Sequence, residues 1–382
     1  MHTKFKTIIL DDDPTGIQTV HGCLAVTDWK KSTIRTALND EEDFFYILTN
    51  ARALGPDKAR EQIRGAVEAV CSALEERESA ERRRESSEEE IVPVFVARGD
   101  STLRGHFPLE VETIRDSLES CGREGRFDAV FLIPAFLEAG RYTRDDTHYL
   151  IDAGKELKTS DSEFARDSVF AYRDSHLPSY IEEKTGGRVR AEEVASVSLE
   201  LLRNADEGAL EEFLDGLEAE RYVVVNCSSY EDLDRFTAGA RRAIERGKRF
   251  LVHSSSSFPK SFNRNPDRGL IGRDELRLRG KDGLIVVGSH VPKSTRQLYR
   301  LLENPATGGI EIDLEKVLSG SPDRSTEQER ILGDIAEMHR GGRTPVLYTP
   351  REELSFAGPQ ERLRAGESLS QFLVDVVRAK LE

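Results

Sequence analysis

With 382 residues, 37% hydrophobic and 33% charged, the chain is long enough for two α/β domains with their own cores, and its composition is that of an ordinary globular protein. A formal net charge of -15 sets the average surface against nucleic-acid backbones and anionic membranes. A small metabolite held by local arginine clusters is the expected partner instead.

The N-terminus runs directly into a short apolar strand without a signal-peptide core, and no later apolar run approaches ~20 residues, so a soluble protein is expected. Cys23, Cys71, Cys121 and Cys227 are widely separated, with no CxxC and no nearby His pair. That spacing argues against a zinc site or a disulfide framework and fits a reducing cytoplasm.

Short β-branched apolar runs recur at 7–10, 44–49, 92–97, 129–133, 222–226, 250–252, 284–287 and 345–348, as buried parallel strands do. Helical patterns lie between them: Ile63, Val67, Val70 and Leu74 share one face, and 109–118, 233–244 and 327–338 repeat the period. The alternation predicts an α/β protein, with two three-layer α/β/α domains, mainly parallel sheets, and the second domain shortened. Residues 75–90 are almost wholly charged and read as a solvated, mobile extension of the helix that begins near Asp57. The stretch 254–282, rich in Ser, Asn, Pro, Gly and Arg, is the expected domain boundary. The resulting division is 1–255, a linker over 256–282, and 283–382.

The first strand ends in Asp11-Asp12-Asp13-Pro14-Thr15-Gly16, a carboxylate-bearing turn, and open α/β sheets bind ligands at the carboxyl ends of their strands. A carboxylate there could take the proton of a substrate hydroxyl or help hold Mg²⁺; a solvated acidic turn is the bland alternative. The second run delivers Asn50-Ala51-Arg52, whose guanidinium could grip a carboxylate through two parallel hydrogen bonds or simply face solvent.

Next comes Arg98-Gly99-Asp100-Ser101-Thr102-Leu103-Arg104-Gly105-His106, a mixture of cations, hydroxyls, an acid and glycines that core packing does not require. Such donors suit a polyhydroxylated acid. Pro134-Ala135-Phe136-Leu137-Glu138-Ala139-Gly140-Arg141-Tyr142-Thr143 brings a further cation and hydroxyls, with His148 beyond it either functional or structural.

Together these segments resemble the four-carbon acid sugar kinase family. Its DDxTG corresponds to Asp12 to Gly16, its Asn-Ser-Arg to Asn50, Ala51 and Arg52, and its Lys-x-Asp-Ser-Thr-x-Arg-Gly to the run from Arg98 to Gly105, with Arg in place of Lys. Its Pro-Ala-Phe-x-x-Ala-Gly-Arg-Tyr-Thr is similar to the run from Pro134 to Thr143, and Ser162 to Asp167 continue the likeness. Later, Gly288-Ser289 follows a strand as at the start of that family's nucleotide-binding domain, where a turn before a helix could hold phosphate.

The resemblance implies ATP-dependent phosphorylation of a hydroxyl on a tetronate such as a threonate, an erythronate or a 3-oxo-tetronate, with Mg²⁺ as cofactor. It implies Asp12, Asp13 and Asp100 as catalytic residues, with Thr15, Gly16, Arg52, Arg98, Ser101, Thr102, Arg104, Gly105 and Arg141 around the acid. Within that set, Arg52 and Arg104 would bind the carboxylate, Asp100 and Ser101 read hydroxyls, and Asp12 or Asp13 act on the attacking oxygen. Gly288 and Ser289 would face ATP; no metal ligand is assigned, and a homo-oligomer is allowed.

Family members continue into a Gly-Gly-x-Thr-Ser segment beyond the helix that 369–381 resembles, so only part of the nucleotide-binding domain is expected here. A sugar-acid-binding protein without catalysis, or half of a split kinase, is therefore an alternative. Asp11-x-Asp13-x-Thr15 after an apolar strand also fits the nucleophile turn of a haloacid-dehalogenase-type phosphatase.

Overall fold

The computed structural model describes residues 4–84, 91–204, 207–272, 274–275, 283–352 and 354–381. They fall into two compact units, Met1–Arg268 and Gly269–Glu382.

The first unit begins with strands β1 (Lys4–Asp11), β2 (Leu24–Val26), β3 (Phe44–Leu48), β4 (Ile91–Arg98) and β5 (Ala129–Ile133). Three short antiparallel strands follow, β6 (Arg141–Arg144), β7 (Thr147–Asp152) and β8 (Lys155–Lys158). Strands β9 (Ala195–Val197), β10 (Arg221–Val225) and β11 (Phe250–Ser254) then join the first five in one eight-stranded parallel sheet of order β2-β3-β1-β4-β11-β5-β10-β9. Both faces are covered, which is why β1 is buried from Phe5 to Asp11 and its Ile8, Ile9 and Leu10 are apolar on both faces rather than alternating.

Helices α1 (Lys31–Leu38), α2 (Pro56–Arg84), α3 (Leu109–Ser120) and α4 (Leu177–Lys184) pack with Ile8 and Leu10 on one face. On the other, α5 (Leu199–Arg203), α6 (Glu207–Asp215), α7 (Tyr230–Glu245) and α8 (Ser257–Phe262) pack with Phe5 and Ile9. The chain leaving β3 and β4 runs to α2 and α3 on the first face, whereas the chain leaving β11 runs to α8 on the second, and the segment after β1 rests Val20 and Cys23 against the second before β2. Because β1 lies between β3 and β4, and β11 between β4 and β5, the loops part at both places. Each parting is a switch point, the place where a ligand crevice is expected at the carboxyl edge of a parallel sheet.

The second unit holds a three-stranded parallel sheet, β12 (Ile285–Val287), β13 (Thr307–Glu311) and β14 (Thr344–Tyr348), in the order β12-β14-β13. Its helices are α9 (Pro292–Leu302), α10 (Leu314–Ser319), α11 (Asp323–Arg340) and α12 (Pro359–Leu381), and Ile310, Ile331, Ile335, Leu347, Phe372 and Val376 form its core. Among the described residues no helix is long and apolar enough to cross a membrane.

Each strand expected from the sequence is present, and the two-unit α/β organisation holds. One expectation changes. The linker does not begin at 256: α8 buries Phe258 and Phe262 in the first core, so the division falls after Arg268. The charged run from 75 extends α2 as far as Arg84, and 85–90 lie outside the described residues.

Candidate functional site

Asp11 ends β1, Arg98 ends β4 and Ser254 ends β11, and register pairs Asp11 with Arg98 and Arg98 with Ser254. Three loops therefore start at one height. Backbone bonds hold them there: Asp12 N donates to Arg98 O at 3.1 Å, Arg52 N to Asp12 O at 3.2 Å, and Gly99 N to Ser254 O at 2.8 Å.

The acidic turn is tightly paired. Arg52 lays its fork on buried Asp12, with Nε 2.8 Å from Oδ2 and Nη2 2.6 Å from Oδ1, and its Nη1 is 3.4 Å from Asp13 Oδ2. Buried Arg98 places Nη1 3.3 Å from Asp11 Oδ1 and 3.7 Å from Asp12 Oδ1, and Nη2 donates to Ser256 Oγ at 3.0 Å. Burial pushes Asp11 up to about 7 against the pull of Arg98, and it raises Asp12 against the pull of Arg52.

Asp13 differs: it is only half-buried, and its Oδ1 accepts from Thr15 N at 2.9 Å and from the Thr15 hydroxyl. Burial works against the charge of Asp13, but Arg52 and the Thr15 bonds outweigh it and hold the carboxyl below the usual range. Gly16 closes the turn where no side chain fits, since a Cβ there would stand 1.8 Å from Asp11 Oδ2.

In the loop after β4, Asp100 Oδ2 accepts from Arg104 Nε at 2.7 Å and from the Thr102 hydroxyl. Although burial would lift it, Arg52, Arg104 and these bonds hold Asp100 at about 2. Arg104 also reaches Asp167 at 3.8 Å and lies 4.8 Å from the Phe164 ring centre. Leu103 takes φ 67° and Gly105 φ 139°, strained or glycine-favouring values that turn the loop sharply. A Cβ on Gly105 would approach Asp12 Oδ2 to 3.4 Å.

Ser101 Oγ is buried and accepts from Arg141 Nη1 at 2.5 Å. Beneath it, fully buried His148 bonds Ser101 O through Nε2 at 2.8 Å and Thr143 Oγ1 through Nδ1 at 3.0 Å. Burial lowers His148 to about 4, so at neutral pH it is an uncharged strut whose Nε2–H donates. Arg141 lies between two aromatic faces, 5.8 Å from the Phe136 centre and 5.9 Å from that of Phe164. Among the described residues no carboxylate stands within ion-pair distance of it. Burial lowers its pKa somewhat below the ordinary guanidinium value and leaves it charged.

In the second unit, Gly288 and Ser289 follow β12 and are exposed. Thr349 Oγ1 donates to Gly288 O at 2.9 Å and Arg351 Nη1 to Ser289 O at 2.7 Å, which fixes the turn ahead of α9. A cleft beside it is lined by Gly288, His290, Leu314, Thr349, Phe356 and Arg362. Among the described residues no cluster of three His, Cys, Asp or Glu side chains is arranged to hold a metal ion.

Sequence comparison decides the family. The Sugar-binding N-terminal domain matches residues 7–262, and the Nucleotide-binding C-terminal domain matches 284–382. The chain belongs to the four-carbon acid sugar kinase family. No protein of curated function matches it significantly.

Solved structures of similar fold include a Salmonella typhimurium LT2 protein provisionally labelled a tRNA synthase, at 14% identity and TM-score 0.55, covering 98% of this chain and 83% of that one. Another is Haemophilus influenzae HI1011, of the domain of unknown function DUF1537, at 15% identity and TM-score 0.51, covering 98% and 82%. A Bordetella bronchiseptica DUF1537 protein with bound citrate, a domain-swapped dimer, matches at 17% identity and TM-score 0.48, covering 97% and 79%.

In this four-carbon acid sugar kinase chain, Asp12, Asp13, Thr15, Gly16, Arg52, Arg98 and Asp100 to Gly105 gather at one edge of the sheet, and Arg141 reaches them through Ser101. Gly288 and Ser289 belong to the other unit. Sequence reasoning missed Phe164, whose ring underlies both Arg104 and Arg141, and Ser256, the partner of Arg98. Phe164 sits in the segment that carries the family likeness, but nothing local tells of a cation above it. The serines from Ser254 to Ser257 are buried at the sheet's centre and carry no apolar signal at all.

Proposed function

We propose that the protein is an ATP-dependent kinase that phosphorylates a hydroxyl of a four-carbon sugar acid. The observation that carries this reading is the contrast among the guanidiniums: Arg52, Arg98 and Arg104 already face carboxylates of their own chain, whereas Arg141 holds only a hydroxyl and two ring faces. A ligand carboxylate would complete it, since a guanidinium pairs with carboxylate through parallel hydrogen bonds. Ser101, which accepts from Arg141, keeps its own hydroxyl proton to donate to a substrate oxygen. The carboxylate grip moves from Arg52 and Arg104 to Arg141, and the paired arginines shape the walls.

Of the two candidate bases, Asp13 suits the role better. Both oxygens of Asp12 lie on the Arg52 fork, while Asp13 is ionised and partly open. A carboxylate of low pKa is adequate because phosphoryl transfer depends on aligning the attacking hydroxyl more than on early proton removal. The nucleotide belongs with the second unit, where the fixed turn at Gly288 and Ser289 opens α9, and ATP supplies the transferred phosphoryl group. The described side chains offer no protein cage for Mg²⁺, so no step is assigned to it.

Asp11, the nucleophile a haloacid-dehalogenase-type phosphatase would use, is buried against Arg98 and under Gly16, which disfavours that chemistry. Calorimetric titration with threonate, erythronate and 3-oxo-tetronate tests the substrate class. Saturable binding of at least one is expected; heat of dilution alone with all of them would overturn the reading.

A further inference from the structure

The loop that presents Arg141 is closed on itself. Phe136 and Arg141 exchange two backbone hydrogen bonds of 3.0 Å each, and the turn Leu137–Ala139 forms the tip between them. At its base, the Phe136 ring faces the Arg141 guanidinium. Moving the tip therefore moves the guanidinium.

That tip is fastened to the helices on the second face of the sheet. Leu137 N donates to Ser257 Oγ at 2.9 Å, and Ser257 N donates to Ala135 O at 3.2 Å. Glu138 collects three more donors: Tyr230 Oη at 2.6 Å and Lys260 Nζ at 3.3 Å on Oε1, and Ser257 Oγ at 3.3 Å on Oε2. Tyr230 opens α7, and Ser257 and Lys260 belong to α8, so one carboxylate joins the substrate loop to two helices. Gly140 takes φ 67°, and a Cβ there would meet Ile151 at 3.0 Å, which limits how the tip could re-form in another shape. By contrast, among the described residues the only side-chain hydrogen bond of Arg141 is the one to Ser101.

We propose that Glu138 is a positioning residue for the sugar-acid carboxylate: held by Tyr230, Ser257 and Lys260, it fixes the loop whose base aims Arg141 into the crevice. Its effect is exerted wholly through Arg141, and the proposal rests on the kinase reading only in that Arg141 meets the acid. A pre-aimed guanidinium binds more tightly because less ordering is left for the moment of binding.

A double-mutant cycle on the full chain tests this. Calorimetric affinity for the tetronate bound by the wild type is measured for Glu138→Gln, Arg141→Met and the two together. Glu138→Gln is expected to weaken acid binding on the order of tenfold, in line with loss of one charge-assisted contact. In the Arg141→Met background the same change is expected to cost nothing further, because coupled residues do not add. Full affinity in Glu138→Gln, or a loss that simply adds to that of Arg141→Met, would overturn the proposal.

If Glu138→Gln does not fold, Lys260→Met removes one of the three donors and is read by the same cycle. If the wild type binds no tetronate, the substrate reading fails, and the positioning role is judged by amide hydrogen exchange at Phe136 and Arg141. Faster exchange in Glu138→Gln is expected there, and unchanged protection would overturn the role.

Discussion

Four guanidiniums meet at the carboxyl edge of the first sheet, and what each already holds decides what it can still bind. Arg52 is taken up by Asp12, Arg98 by Asp11 and Ser256, and Arg104 by Asp100. Removing any of these takes the nearest cation from a carboxylate held out of water, so their substitution would confuse stability with binding. Arg141 carries no such burden. Arg141→Met is expected to raise the dissociation constant for the sugar acid roughly 10–100-fold, the worth of a charge-assisted hydrogen bond. Nucleotide affinity should stay unchanged, and titration of both ligands checks the split; equal losses for both would contradict the assignment.

His148 gives a second residue-scale test, in pH. Its folded pKa of about 4 lies below the ordinary value of 6.5, so between those values the unfolded chain binds the extra proton. The contribution of His148 is therefore complete above pH 6.5 and is lost as the pH falls toward 4, at a total of roughly 3 kcal/mol. Imidazole NMR signals of His148 are expected to titrate near pH 4; a midpoint near 6.5 would mean the ring is not the buried strut beneath Ser101.

At the scale of elements, parallel strands in register deliver the ends of β1, β4 and β11 side by side, and the loops between them pack without slack. Gly16→Ala measures that closeness. A Cβ 1.8 Å from Asp11 Oδ2 must push the carboxyl off Arg98, at a cost of ~1–3 kcal/mol typical of overpacking. A lower melting temperature and weaker acid binding are expected together in scanning calorimetry and titration. An unaltered melt would contradict the packed turn.

Much of this level was legible in the sequence, because buried parallel strands leave continuous apolar runs and each such run proved to be a strand. What stayed hidden was polar. Strands β6 to β8 are half-exposed and rich in charge, with the pattern of a loop. Ser254 to Ser257 read as a linker yet are buried: Ser254 ends β11 between two neighbouring strands, and the next three lead into α8, which packs on the second core. The pairing of Arg52 with Asp12 joins residues far apart in sequence, and nothing near either one announces it. Residue types could place these groups at the site but could not say which cation would remain unpaired.

Across the whole molecule, the two units have separate cores and separate tasks. The first matches a sugar-binding domain and holds the loops of Asp12, Arg104 and Arg141; the second matches a nucleotide-binding domain and carries the Gly288 turn. The kinase reaction proposed above needs both ligands at once. The most direct measurement is a coupled ADP-release assay with Mg-ATP and a panel of four-carbon acids, run on the wild type and on Asp13→Asn. ADP release that depends on one tetronate and falls by about 10²-fold or more in Asp13→Asn is the expected result. An acid that binds while ADP release stays at background, or an Asp13→Asn variant with near-normal turnover, would contradict it.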